Sequence, residues 1–218
     1  MKIIAINGSP RKEGNTARMC QEFLRGAEAA GAETEIVHLY DLSYTGCKSC
    51  FACKRAVGNT YGHCVIKDDL QAVLAKTAQA DGVVFASPVY CGEITAQLKG
   101  FLERLLFPFV TYEQGYRTIA PRKMPTAMIY TMNLRQEGME ERGYPRQFLN
   151  MENYISRVFS APELFYAWNT YQFKNYADYK VEVFSEKDKA AYRQKQFPLE
   201  CQKAFLGGKA MAEKAAQA

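Results

Sequence analysis

Residues 46–69 read GCKSCFACKRAVGNTYGHCVIKDD and hold four of the chain's seven cysteines. Cys47, Cys50 and Cys53 recur every third residue. That spacing offers three thiols from one tight turn, as an iron–sulfur cube requires, with a fourth thiolate supplied from further along the chain. Cys64 is the candidate fourth ligand, and the ten residues KRAVGNTYGH must loop out for it to close the site. Zinc is a second chemistry, with His63 as an alternative ligand, although neighbouring His63 and Cys64 do not readily face one metal. Free thiols are the third. Buried cysteine behaves as a small hydrophobe, and the segment would then be a cap packed by Tyr44, Phe51 and Tyr61. Spacing alone leaves all three open.

A second set of residues suits an anion and a flat ring. GSPRKEGNT at 8–16 follows an apolar run and precedes a helical pattern. Ser9, Asn15 and Thr16 offer short polar side chains, and Gly8 and Gly14 let the backbone bend closely around a ligand. Free N–H groups at a helix start favour a phosphate there, and Arg11 and Lys12 add charge. The loop is neither GxGxxG nor a Walker sequence, and a polar N-capped connection is the competing reading. In SPVYCGEITAQLKGFLERL at 87–105, Pro88, Val89, Tyr90, Cys91 and Gly92 turn over a strand end. An aromatic and a glycine at such a turn can pack on a ring while offering backbone N–H groups to its polar edge; alternatively, Tyr90 caps the core. Thr131, Met132 and Asn133 form a third strand-end loop. His38 and His63 are the only histidines, His38 lies in a strand pattern, and no Ser-His-Asp set is discernible. No general acid or base is therefore assigned.

The elements that must position these loops alternate. KIIAI at 2–6, TEIVHLY at 34–40, GVVFAS at 82–87, PTAMIYTMN at 125–133 and ELFYAWNTYQF at 163–173 read as five strands. Helical stripes fall between them. Ala17, Cys20, Phe23, Leu24 and Ala27 share one face before a stop at Gly31, and Leu70, Val73, Leu74 and Thr77 follow Asp68-Asp69. A third stripe runs from Thr95 through Leu98, Phe101, Leu102, Leu105 and Leu106, a fourth spans about 145–159, and a last helix follows Ser185 with an interruption near Pro198. This alternation predicts a doubly wound α/β fold, a five-stranded parallel sheet in the order 2-1-3-4-5 with helices on both faces. Ligands of such sheets sit beyond the carboxyl ends of the strands.

The 218 residues suffice for one domain, 1–218, bearing the Cys-rich insert at 44–66 and an aromatic-rich C-terminal extension at about 174–218. A net charge of +5 is scattered, without an Arg/Lys block interleaved with aromatics, so nucleic-acid binding is not expected. No apolar run nears the roughly 18 residues of a membrane span, and MKIIAING is too short for a signal peptide. A cytoplasmic protein is expected, where a cysteine cluster points to metal or redox work more than to disulfides.

ING-SPR-x-x-GNT after the first strand, SPVY with LKGFLERL after the third, and the Cys-rich insert between them resemble the NADPH-dependent FMN reductase and iron–sulfur flavoprotein family. The resemblance covers residues 1–133. It implies a flavodoxin-like fold holding FMN, with the phosphate at Ser9, Arg11, Gly14, Asn15 and Thr16. The isoalloxazine would lie against Pro88, Val89, Tyr90, Cys91 and Gly92, with Thr131, Met132 and Asn133 on another side. A 4Fe–4S cluster on Cys47, Cys50, Cys53 and Cys64 is the further cofactor it suggests, although in iron–sulfur flavoproteins the last cysteine follows sooner.

The expected activity is FMN-dependent oxidoreduction with NAD(P)H as donor and a small-molecule acceptor, such as another flavin, a quinone, an azo or nitro compound, or an electron carrier. The alternative is a non-catalytic iron–sulfur flavoprotein passing single electrons between cluster and FMN. Phe148, Tyr154, Phe159, Phe165, Tyr166, Trp168, Tyr171, Phe173, Tyr176, Tyr179 and Phe184 crowd 148–184. Such density suits a subunit interface, and a homo-oligomer, dimer or tetramer, is expected.

Overall fold

A computed structural model describes residues 1–217. Five parallel strands form the sheet: β1 (Lys2–Asn7), β2 (Glu33–His38), β3 (Gly82–Tyr90), β5 (Thr126–Thr131) and β6 (Glu163–Ala167). A two-residue strand, β4 (Glu93–Ile94), folds back antiparallel on the end of β3. The sheet order is β2-β1-β3-β5-β6 with β4 off the path. Without that small hairpin, the parallel strands run in the expected 2-1-3-4-5 order.

Register explains the two faces. Ile4 pairs with Val83, Phe85 with Met128, and Ile129 with Phe165. Alternate residues point to opposite sides of a strand. Ile4, Ile6, Val83, Phe85, Met128 and Tyr130 therefore share one core with α2 (Leu70–Ala78), α3 (Ala96–Leu106) and α5 (Tyr144–Val158). Ile3, Ala5, Val84, Ala86, Ala127 and Ile129 share the other with α1 (Asn15–Ala29) and α7 (Phe197–Ala215). Two short helices complete the chain, α4 (Gln136–Glu141) and α6 (Glu186–Lys195).

Several boundaries depart from the sequence reading. The second strand stops at His38, and Leu39–Asp41 form a single 3-10 turn. The third runs on through Pro88 to Tyr90. The last strand ends at Ala167, because Asn169 adopts a left-handed conformation (φ 47°) that turns the chain out of the sheet. Neither β4 nor α4 was foreseen. Both are too short for a periodic signal to develop.

The C-terminal helix is part of the core. Helices α1 and α7 cross where both are bare: a Cβ on Gly26 would lie 1.8 Å from the Phe205 carbonyl oxygen, and one on Gly208 would lie 1.8 Å from that of Phe23. Backbone approaches backbone there, and no rotamer can relieve an added methyl group. Of the crowded aromatics, Phe148, Phe159, Phe165 and Tyr176 are buried, whereas Tyr154 and Tyr179 are exposed. Among the described residues no helix is long and apolar enough to cross a membrane. Replacing Gly208 with Ala overpacks the crossing and should cost about 1–3 kcal/mol, measured as a lower urea midpoint at unchanged m-value.

Candidate cofactor site

The three strand-end loops meet. Asn7 closes β1 with its side chain already engaged: Oδ1 accepts from the Ser9 amide at 3.0 Å, and Nδ2 lies 2.9 Å from His38 Nδ1. Ser9 Oγ accepts from the Arg11 amide at 3.1 Å, and Gly14 N–H closes the turn on the Arg11 carbonyl at 3.1 Å. Helix α1 then starts at Asn15 with no side chain capping it. Its first N–H groups have no intrahelical acceptor by construction, so the positive end of the helix faces the loop open.

Side chains lock this loop to the others. Thr95, the N-cap of α3, donates from Oγ1 to the Gly8 carbonyl at 2.8 Å, while its amide donates to Ser87 Oγ at 2.9 Å. Thr16 and Thr131 share a buried hydroxyl–hydroxyl bond of 2.7 Å. A crevice of about 810 Å³ results, within the usual range for small-molecule sites. Ser9, Arg11, Gly14, Asn15 and Thr16 line one wall, Pro88, Val89 and Tyr90 another, and Thr131, Met132 and Asn133 a third. Cys91 and Gly92 do not line it. Both have positive φ (52° and 84°) and form the tip of the β3–β4 hairpin, where Gly92 lies against Tyr144 and Gln147.

One wall was missed. Thr170, Tyr171, Gln172, Phe173, Lys174 and Arg193 complete the lining. Residues read as the continuation of a strand pass over the phosphate loop instead. Arg11 donates to the Gln172 carbonyl at 2.6 Å, and Asn15 Nδ2 to that of Tyr171 at 3.0 Å. The signal was Asn169, since Asn tolerates the left-handed region better than most residues. Arg193, on α6, carried no local signal. The crevice fits a phosphorylated planar cofactor: an uncapped helix start, the Arg11 cation, and a buried Asn133 Oδ1 without a partner in the wall, while Lys12, also on the lining with Glu13, is paired with Asp41.

The cysteine insert lies elsewhere, and none of residues 44–66 lines the crevice. It packs on α3, with Gly46 against Gly100 and the Tyr44 hydroxyl donating to the Gln97 carbonyl at 2.6 Å. The ten-residue excursion doubles back. Gly62 N–H donates to the Cys53 carbonyl at 3.0 Å, and Thr60 Oγ1 to that of Ala52 at 2.7 Å. Cys64 thereby returns to the first three cysteines, and all four line one small hollow together with Phe51, Arg104 and Phe107. Cys47 and Cys50 are exposed at its rim, Cys64 is half-buried, and burial pushes the Cys53 thiol up from its ordinary pKa. Ser49 and Phe51 hold positive φ (51° and 54°), a cost that persists only where surroundings over-determine the backbone.

Arg104, with a fully buried side chain, closes the insert. Its Nη1 donates to Asp68 Oδ2 at 2.6 Å and to the Thr45 carbonyl at 3.0 Å. Nη2 donates to Asp68 Oδ1 at 2.9 Å and to the Ile66 carbonyl at 3.2 Å, and Nε to Cys64 Sγ at 3.3 Å. One guanidinium thus joins both ends of the insert to the start of α2. Among the described residues no three His, Cys, Asp or Glu side chains converge closely enough for a single metal ion. Four cysteines around one hollow are nonetheless the donor types a four-iron cube takes.

Fold and crevice together define a doubly wound α/β protein built for a phosphate-bearing cofactor. The sequence model of one family, NADPH-dependent FMN reductase, matches residues 1–164, and the chain belongs to that family. An iron–sulfur flavoprotein of Methanocaldococcus jannaschii is 42% identical over 104 residues, 48% of this chain and 51% of its own length. One from Archaeoglobus fulgidus is 35% identical over 141 residues, 64% of this chain and 63% of its own. The chain thus spans about half to just under two thirds of these relatives. Among solved structures, an NAD(P)H:quinone oxidoreductase from Methanothermobacter marburgensis superposes with a TM-score of 0.71 at 12% identity, covering 96% of this chain and 98% of that one. At that identity the likeness speaks for the fold, which is flavodoxin-like.

Arg104→Met would leave Asp68 and two carbonyls without their donor, and about 3 kcal/mol of stability should be lost. The Arg104 hydrogen bonds hold the Asp68 carboxyl below the usual carboxylate range. A depressed carboxylate contributes stability that is complete above its unfolded pKa and disappears as pH falls through the folded value. Wild-type urea midpoints should therefore drop below about pH 4, with a shallower drop in the variant.

Proposed function

We propose that the chain is an FMN-dependent oxidoreductase that takes electrons from NAD(P)H and passes them to a small-molecule acceptor. The observation that carries this is the convergence of three strand-end loops on one crevice at the open start of α1, supported by family membership. The α1 N-terminus, with Ser9 and Thr16, would hold the phosphate. Pro88–Tyr90 and Thr131–Asn133 would flank the ring. Bound FMN would supply two-electron exchange with the nicotinamide and one-electron exchange with other partners. The protein's own part is placement. Thr95 and Thr131 fix the loops to each other, and residues 170–173 form the remaining wall.

A second element of the reading is favoured by the hollow that collects Cys47, Cys50, Cys53 and Cys64. We infer that these thiolates carry a 4Fe–4S cluster, making the chain an iron–sulfur flavoprotein as its curated relatives are named. Such a centre exchanges single electrons. Arg104 would keep Cys64 in place, and the Lys54 and Arg104 cations would offset the negative charge of four thiolates.

Anaerobically purified protein should show flavin absorption, a broad additional visible band, and iron and sulfide near four per chain, a stoichiometry set by the cube. Cys50→Ser should remove the band and leave FMN bound. Flavin peaks without stoichiometric iron would keep the reductase and sink the cluster. A colourless protein that FMN cannot reconstitute would sink both. Steady-state NAD(P)H oxidation separates an enzyme from a passive carrier.

A further inference from the structure

Lys189 is among the most buried side chains, with 1% of its surface exposed, and it lies on α6, beyond the family match at 1–164. Among the described residues no carboxylate pairs with it. Its Nζ donates to the Asn133 carbonyl at 3.1 Å, to Asn169 Oδ1 at 3.1 Å and to the Thr170 carbonyl at 3.3 Å. Asn133 and Thr170 line two different walls of the crevice, and Asn169 is the left-handed residue that turns the chain from one strand end toward the other wall. Backbone bonds run beside the lysine, from Asn169 N–H to Leu134 at 2.7 Å and from Thr170 N–H to Met132 at 3.0 Å. Three acceptors around one nitrogen require all three ammonium hydrogens, which a neutral amine does not have. The Phe184 ring centroid, 5.1 Å away, completes a shell suited to a cation.

We propose that Lys189 is a positioning residue of the flavin crevice: it fixes the β5 and β6 loops to each other, and its buried charge favours the reduced, anionic form of the bound ring. The inference rests on the FMN reading given above. An isolated cation in a low-dielectric setting acts on a nearby anion far more strongly than a solvated one. Other charges face the crevice too: Arg11 is bonded to the Gln172 carbonyl, Lys12 is paired with Asp41, and Glu13 lines the same wall. Arg135 is paired with Asp188 at 2.8 Å with both side chains about half-exposed, and Lys174 and Arg193 are exposed. Burial and the neighbouring Arg135 pull the Lys189 pKa down to about 8, which leaves it charged at neutral pH. The C-terminal segment then takes part in the cofactor's chemistry as well as in its enclosure.

The test compares dissociation constants for oxidised FMN and for FMN reduced with dithionite, in wild type and in Lys189→Met, Lys189→Gln and Lys189→Arg, with circular dichroism to confirm folding. In the neutral variants the preference for reduced over oxidised FMN should fall at least tenfold, about 30 mV for a two-electron couple. The arginine variant should stay much nearer the wild-type ratio. An unchanged ratio in folded Lys189→Gln overturns the inference while leaving the FMN reading intact. Should Lys189→Met fail to fold, the Gln and Arg pair carries the comparison. Failure of wild type to bind FMN in either state overturns the FMN reading, and this inference with it.

Discussion

Irregular backbone outside strands and helices cannot satisfy its own carbonyl oxygens, and three cations satisfy them in three places. Arg104 takes the carbonyls of Thr45 and Ile66, Lys189 those of Asn133 and Thr170, and Lys54 those of Phe107, Pro108 and Val110. Strands and helices bond internally, whereas a 23-residue insert and a chain crossing over a crevice do not. An unpaired buried carbonyl costs about 1–3 kcal/mol. A lysine or arginine whose side chain is directed inward supplies several donors from one point. Two of these cations, Lys54 and Arg104, also stand beside the cysteine cluster.

Arg104 is the clearest case, because it decides whether the cysteine spacing can work. Ten residues between Cys53 and Cys64 argue against a compact site when only the chain is considered. The excursion is closed at its base, however, by the Gly62 amide on the Cys53 carbonyl, and Cys64 is gripped by the same guanidinium that binds Asp68. Distance along the chain therefore does not keep Cys64 from the other three cysteines. In the sequence, Arg104 is a charged residue between Leu102 and Leu105 of the α3 stripe, with nothing local to mark it. Its importance comes from what α2 and the insert bring to it, and no local pattern encodes that.

The parallel sheet was legible because buried parallel strands are short β-branched runs bounded by Gly and Pro. KIIAI, GVVFAS and PTAMIYTMN each end where a ligand loop begins. The crevice was legible for the same reason: three strand ends on one sheet edge are neighbours once the strand order is known. What escaped were features set by long-range hydrogen bonds or by bare backbone. Residues 163–173 carry strand-like composition throughout, yet Asn169 ends the strand early, and Lys189 holds it in that conformation. Cys91 and Gly92 occupy the expected loop, but their left-handed conformations make a hairpin that turns them away from the crevice.

The C-terminal segment shows how such choices depend on one another. Its polar, basic composition suggests an appendage, yet α7 is locked against α1 through Gly26 and Gly208, and α6 precedes it by a single residue. The docking of α7 therefore fixes where α6 starts and ends. Lys189 and Arg193, four residues apart on α6, then fall at the crevice, one behind its wall and one on its lining. Two glycines in a distant helix crossing thus dock the helix that adjoins the one carrying a buried charge behind the crevice wall.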